Sequence, residues 1–144
     1  MTVELDGTAD GCIAEARDRA GRFLAGAQAA HGMPVTAHAM QLSRLVVSEL
    51  VTNACKYAPG PLLLSLRITG NAVAVEVWDS VPVLPVARAA DPGRVGQHGL
   101  EIVMAVVQGF EVRREPVGKC VTARIALWDD EPLATLTDSD SGSR

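Results

Sequence analysis

Apolar residues recur along the chain with two different periods, and the switches between them divide it into elements. From Gly11 to about Ala30 the apolar positions Ile13, Ala16, Ala20 and Leu24 fall near one face, as on an amphipathic helix. Gly32, Met33 and Pro34 break that pattern. A second, longer helix is predicted from about Thr36 to Tyr57, stopping before Pro59–Gly60–Pro61. The period then drops to two. Leu62–Thr69 and Ala72–Trp78 read as strands, the latter with Val73, Val75 and Val77 alternating, and Gly70–Asn71 between them has the length of a two-residue hairpin turn. At the start of the chain Thr2–Leu5 allows one short strand before a turn at Asp6–Gly7.

The stretch from Asp79 to Gly99 shows no periodicity and carries Pro82, Pro85, Pro92, Gly93 and Gly96. A structureless segment of this length inside a compact domain is usually functional or disordered. Leu100–Gln108 reads as a short helix closed by Gly109, and Phe110–Glu115 with Lys119–Leu127 as a last hairpin across Pro116–Gly118. Strands joined by hairpins, with helices set apart from them, predict an α/β two-layer sandwich. Its sheet is mostly antiparallel, with the helices on one face.

The second helix carries the chemistry. At roughly 100° per residue, Val47, Leu50, Val51, Ala54 and Ala58 form one apolar arc, which Leu42, Leu45 and Val46 widen in the first half. Arg44, Ser48, Thr52 and Cys55 lie roughly opposite, on what reads as the outer face. Glu49, Asn53 and Lys56, at i, i+4 and i+7, continue the widened arc one turn further on. Buried polar groups without partners cost about 1–3 kcal/mol each, and a bound ligand could supply those partners. The types suit a nucleotide. Asn53 offers a hard oxygen to Mg²⁺, Lys56 can neutralise phosphate charge, and Glu49 can accept a proton from an attacking hydroxyl or position a metal-bound water. A helix end turning to solvent presents similar triples, so spacing alone leaves both readings open.

Further along, Asp79 closes an alternating strand, where its carboxylate can start a turn or accept from an exocyclic amine such as that of adenine. Gly96 and Gly99 precede the short helix at Leu100. Glycine lets backbone N–H groups approach a phosphate, and a helix N-terminus favours anions. His98 abuts that turn, with no catalytic part expected of it. Gly118–Lys119 fits plain turn chemistry or a ligand contact.

Composition narrows the classes. The 144 residues suit one domain, and with 3% aromatics the core must be built from Val, Leu, Ile and Ala. Apolar runs of membrane-spanning length and a signal-peptide pattern are both missing, which points to a cytoplasmic protein without a membrane span. The cysteines Cys12, Cys55 and Cys120 are odd in number and widely spaced, as expected of free thiols rather than of a disulfide framework or a zinc site. The net charge is −4. Asp129, Asp130, Glu131, Asp138 and Asp140 against Arg144 alone account for all of it, so residues 1–128 form a neutral domain and 129–144 an acidic tail expected to be disordered. A basic face is lacking, which argues against nucleic acid.

Taken in order, the segments Ser48-Glu49-Leu50-Val51-Thr52-Asn53-Ala54-Cys55-Lys56-Tyr57-Ala58, Val77-Trp78-Asp79-Ser80 and Gly99-Leu100-Glu101-Ile102-Val103 resemble the ATP-binding boxes of the gyrase and histidine-kinase (GHKL) ATPase superfamily. Within it they are most similar to the small anti-sigma-factor serine/threonine kinases of bacteria, over about residues 10–128. The resemblance implies Glu49 as catalytic base, Asn53 as Mg²⁺ ligand and Lys56 near the phosphates. It also implies Asp79 as adenine reader and Ser80–His98 as an ATP lid, with Gly99 in the phosphate-binding turn. Gly96, His98, Leu100 and Lys119 complete the expected nucleotide-binding set. The implied cofactors are ATP and Mg²⁺, and the implied partners an anti-sigma-factor antagonist, a sigma factor and a second copy of the chain. Two positions depart from the pattern: Val81 and Gln97 stand where the superfamily usually has glycine. They keep open the alternative of a nucleotide-responsive binding module that transfers no phosphate.

Overall fold

A computed structural model describes residues 1–79 and 99–128. The proposed lid segment, with Gly96 and His98, and the acidic tail lie outside the described residues. The elements run β1 (Thr2–Asp6), α1 (Cys12–His31), α2 (Ala37–Tyr57), β2 (Pro61–Thr69), β3 (Ala72–Asp79), α3 (Gly99–Val106), β4 (Gly109–Arg114) and β5 (Lys119–Ala126). The strands form one five-stranded sheet in the order β1-β2-β3-β5-β4. Every pairing in it is antiparallel, and the helices cover one face, as the element order predicted.

Local chemistry sets the boundaries. Gly11 and Gly32 flank α1 in left-handed conformations, and the Gly32 N–H closes the helix on the Gln28 carbonyl. Thr36 caps α2: its hydroxyl accepts from the Ala39 N–H at 3.0 Å. Gly70, at φ 61°, turns the two-residue hairpin whose register sets Thr69 opposite Ala72. Gly109 does not close α3 as expected. The helix ends at Val106, and the Gln108 N–H already donates to the Arg124 carbonyl, so β4 claims these residues first.

The core lies between the sheet and α2. Val73, Val75 and Val77 of β3 and Val121, Ala123 and Ile125 of β5 point into it, as do Val46, Val47, Leu50, Val51 and Ala54 of α2. From α1 come Cys12, Ala16, Ala20 and Leu24. The arc of α2 read as outer is the exception to the expected layout. It turns toward α1, which packs antiparallel along it. Arg44 lies over Gly21, where an added Cβ would stand 3.4 Å from its guanidinium, and Cys55 is half-buried beside the core.

Turn geometry ties the first strand to the end of α2. The Gly7 N–H donates to the Gly60 carbonyl at 2.8 Å, and a Cβ on Gly7 would come within 2.6 Å of that oxygen. Gly7→Ala is therefore expected to lower the urea midpoint of unfolding. Gly26→Ala, inside α1 with open space around it, should raise stability by up to about 1 kcal/mol. The same urea titration reads both.

Candidate functional site

Two anchors orient α2 along the sheet. At its start the Thr36 N–H donates to the Leu127 carbonyl at 3.0 Å, beside the exit of β5. At its end the chain turns through Gly60 into β2, whose Leu63 lies opposite Trp78 near the finish of β3. The helix therefore spans the sheet from the end where β5 finishes to the end where β3 finishes and β5 begins. Glu49, Asn53 and Lys56, in its C-terminal half, lie toward the latter. Glu49 and Asn53 are half-buried and Lys56 is exposed in the last turn. At i and i+4, the Glu49 and Asn53 Cβ atoms are about 5–6 Å apart. Such a spacing lets a carboxylate and an amide address one ligand.

At the same end of the sheet stand Asp79 and Lys119. The β3–β5 register sets them directly opposite each other, and Lys119 Nζ donates to Asp79 Oδ2 at 2.6 Å. Their side chains are 2% and 3% exposed respectively, so this is a fully buried ion pair. Strand alternation explains the placement. Asp79 follows Val73, Val75 and Val77 on the core side of β3, and Lys119 leads Val121, Ala123 and Ile125 on the core side of β5. The fold thus makes one polar corner of a face that is otherwise apolar. Lys119 is the first residue of β5, as the strand read from Lys119 to Leu127 has it, and its phase with the apolar row behind it sets it on the core side rather than in the turn with Gly118.

Gly99 is the first residue of α3 and Leu100 the second, and α3 packs against α2. The structure thus draws Glu49, Asn53, Asp79 and Lys119 to one end of the sheet. Gly96 and His98 lie outside the described residues. Among those residues, no three His, Cys, Asp or Glu side chains gather as a metal cluster. No helix among them is long and apolar enough to cross a membrane.

The thiols of Cys12 and Cys55 meet at the other side of α2. Both line a cleft of about 330 Å³ together with residues Gly7–Ala14. Burial pushes the Cys12 thiol up to about 11, helped by Cys55 and, more weakly, by the charges of Glu15 and Asp6. Burial also raises Cys55, while its hydrogen bond with Cys12 opposes the shift. At pH 8 only about one Cys12 thiol in a thousand is then ionised. Alkylation of Cys12 in the folded protein, followed by peptide mapping, should accordingly be slow at pH 8. It should accelerate about tenfold per pH unit toward pH 11.

Residues 13–125 match the family model of the histidine kinase-like ATPase domain. No curated protein matches the sequence. In structure the chain is similar to the RsbU and RsbW domains of Rv1364c from Mycobacterium tuberculosis, with a TM-score of 0.58 and 18% identity, over 88% of this chain and 32% of that one. It also aligns with the histidine kinase domain of a blue-light activated histidine kinase from Erythrobacter litoralis, with a TM-score of 0.49 and 19% identity, over 78% and 61% of the two chains. The chain thus spans about a third of the length of the first structure, and at that identity the likeness is one of fold.

Proposed function

Because the chain belongs to the histidine kinase-like ATPase family, we propose that it binds ATP with Mg²⁺ between α2, the end of β3 and the start of α3. We further propose that it is an anti-sigma regulatory factor that phosphorylates a serine or threonine of an antagonist protein. The observation that carries this reading is the half-buried Glu49–Asn53 pair on α2, set toward the same end of the sheet as the buried Asp79 carboxylate.

Each residue then has a role suited to its place. Asp79 accepts from the amine of the adenine ring. Asn53 offers its amide oxygen to Mg²⁺. That ion typically takes most of its ligands from water and phosphate, so a single amide oxygen from the protein suffices. When bound, it supplies charge neutralisation on the transferring phosphate. Lys56, exposed at the helix end, approaches the phosphates from solvent. Glu49 accepts the proton of the incoming hydroxyl as its oxygen forms the new bond to the γ-phosphorus and the bond to the β–γ bridging oxygen breaks. Fold likeness to a structure containing an RsbW domain supports seeking the protein partner, and a sigma factor, among regulatory proteins. A homodimer, implied by the resemblance of the sequence motifs, is the assembly to test. The second reading, a module that switches partners with nucleotide but transfers no phosphate, is favoured by Val81 and Gln97 in place of the glycines usual in the family.

Calorimetry with a slowly hydrolysed ATP analogue tests the site. Binding is expected in Mg²⁺ and should weaken at least about tenfold, or 1.4 kcal/mol, in Asn53→Ala or when Mg²⁺ is chelated. Absence of binding by the unaltered chain would overturn the proposal. Glu49→Gln should keep nucleotide affinity while phosphate transfer to the antagonist falls by about 10²–10⁴. Equal transfer by both proteins would remove Glu49 from the chemistry, and none by either would favour the second reading.

A further inference from the structure

Cys12 and Cys55 are far apart in the chain, and the packing of α1 on α2 brings them together. Cys12 opens α1 and is buried, while Cys55 is half-buried near the end of α2. Their thiols are in hydrogen-bond contact, and both line the cleft of about 330 Å³. Its other wall is the loop before α1, where Gly7, Ala9 and Gly11 add little side chain. That wall is held in place: the Ala9 N–H donates to the Asp6 carbonyl at 3.0 Å and the Cys12 N–H to the Ala9 carbonyl at 3.3 Å. As the first residue of α1, Cys12 has no earlier helical turn to restrict its side-chain torsion, so its sulfur can swing onto that of Cys55. Cys120, on β5, is buried beside the Thr122 hydroxyl at 3.7 Å instead.

We propose that Cys12 and Cys55 form a thiol–disulfide exchange site, where a low-molecular-weight disulfide enters the cleft, is reduced, and leaves α1 bridged to α2. This goes beyond the nucleotide reading and stands without it. Cys55, the less buried of the two, reacts first. Its thiolate attacks one sulfur of the small disulfide, whose S–S bond breaks and releases one small thiolate. The Cys12 thiolate then attacks the Cys55 sulfur, forming the bridge and expelling the second small thiolate. The two protons lost by the protein end on the two small thiols, so the protein gives up two electrons and the small disulfide gains them. Burial makes the attack slow, but it also makes the bridge persist, because a thiolate with the high pKa of Cys12 is a poor leaving group. Asp6 and Glu15 lie near Cys12 and Asp10 lines the cleft, which suits a disulfide with cationic ends.

The test treats the folded full chain with cystamine and follows its intact mass, then maps tryptic peptides without reduction. The unaltered protein is expected to end lighter by two hydrogens, with peptide 1–17 linked to peptide 45–56 and peptide 120–124 unmodified. Dithiothreitol should restore both thiols. Cys12→Ser should stop one step earlier, carrying a stable cysteamine adduct on Cys55. Cys55→Ser should react at least about tenfold more slowly than the unaltered chain, since only the more buried thiol is left to begin. A stable cysteamine adduct on Cys55 of the unaltered chain would show that Cys12 does not reach it, and would overturn the proposal. So would a link that includes peptide 120–124 or joins two chains, and so would a reaction seen only in urea. Equal rates for Cys55→Ser and the unaltered chain would overturn the assignment of Cys55 as the entry thiol.

Discussion

Val47, Leu50, Val51 and Ala54 of α2 share a single core with the valine row of β3 and the apolar row of β5, and that shared burial decides which residues meet at the end of the sheet. A helix of 21 residues is about 31 Å long, and a strand of eight about 26 Å. Pinned at its start by Leu127 and at its end by the turn into β2, α2 has to lie along the strands. Its polar stripe falls where the strand rows run out. The site is thus a by-product of lengths and anchors before it is a matter of side-chain chemistry.

At that end the core changes character without changing face. The same alternation that buries Val73, Val75 and Val77 buries Asp79, and the same row that ends in Ala123 and Ile125 starts with Lys119. A carboxylate and an ammonium so placed are almost wholly excluded from water. Their orientation is inherited from two interior strands of the sheet. On the opposite face of the sheet Glu76 is likewise buried but pairs with Arg67, whose side chain is 56% exposed, so that pair is screened as the first is not.

The elements themselves were legible because each is a period: the arcs of α1 and α2, the alternation in β3, the glycine turn between β2 and β3. Two things were not. Hydropathy identifies the arc of a helix that is buried most deeply, but it does not say what covers the rest. Ser48, Thr52 and Cys55 are small as well as weakly polar, which is what a close neighbouring helix requires, although polarity alone reads them as a solvated face. The meeting of Asp79 with Lys119 depends on a register between strands 40 residues apart. Only tertiary pairing sets that register, so a strand-end carboxylate and a hairpin lysine gave separate signals and no shared one. Gly109 failed for a related reason: a glycine after a short apolar helix suits a helix stop, but the ladder to β5 took hold one residue earlier.

The hairpin turn at Gly70–Asn71 lies at the far end of the sheet from Asp79. There the Asn71 carbonyl accepts from the Leu127 N–H at 2.7 Å, and the Asn71 side chain reaches the Trp128 carbonyl at 3.5 Å. The chain therefore passes Trp128 held against the pole opposite the polar corner. For anyone immobilising the protein on a sensor surface or joining it to a fluorescent reporter, a handle placed beyond Trp128 pulls on that remote pole. The end that carries Asp79 and Lys119 is left facing the solution.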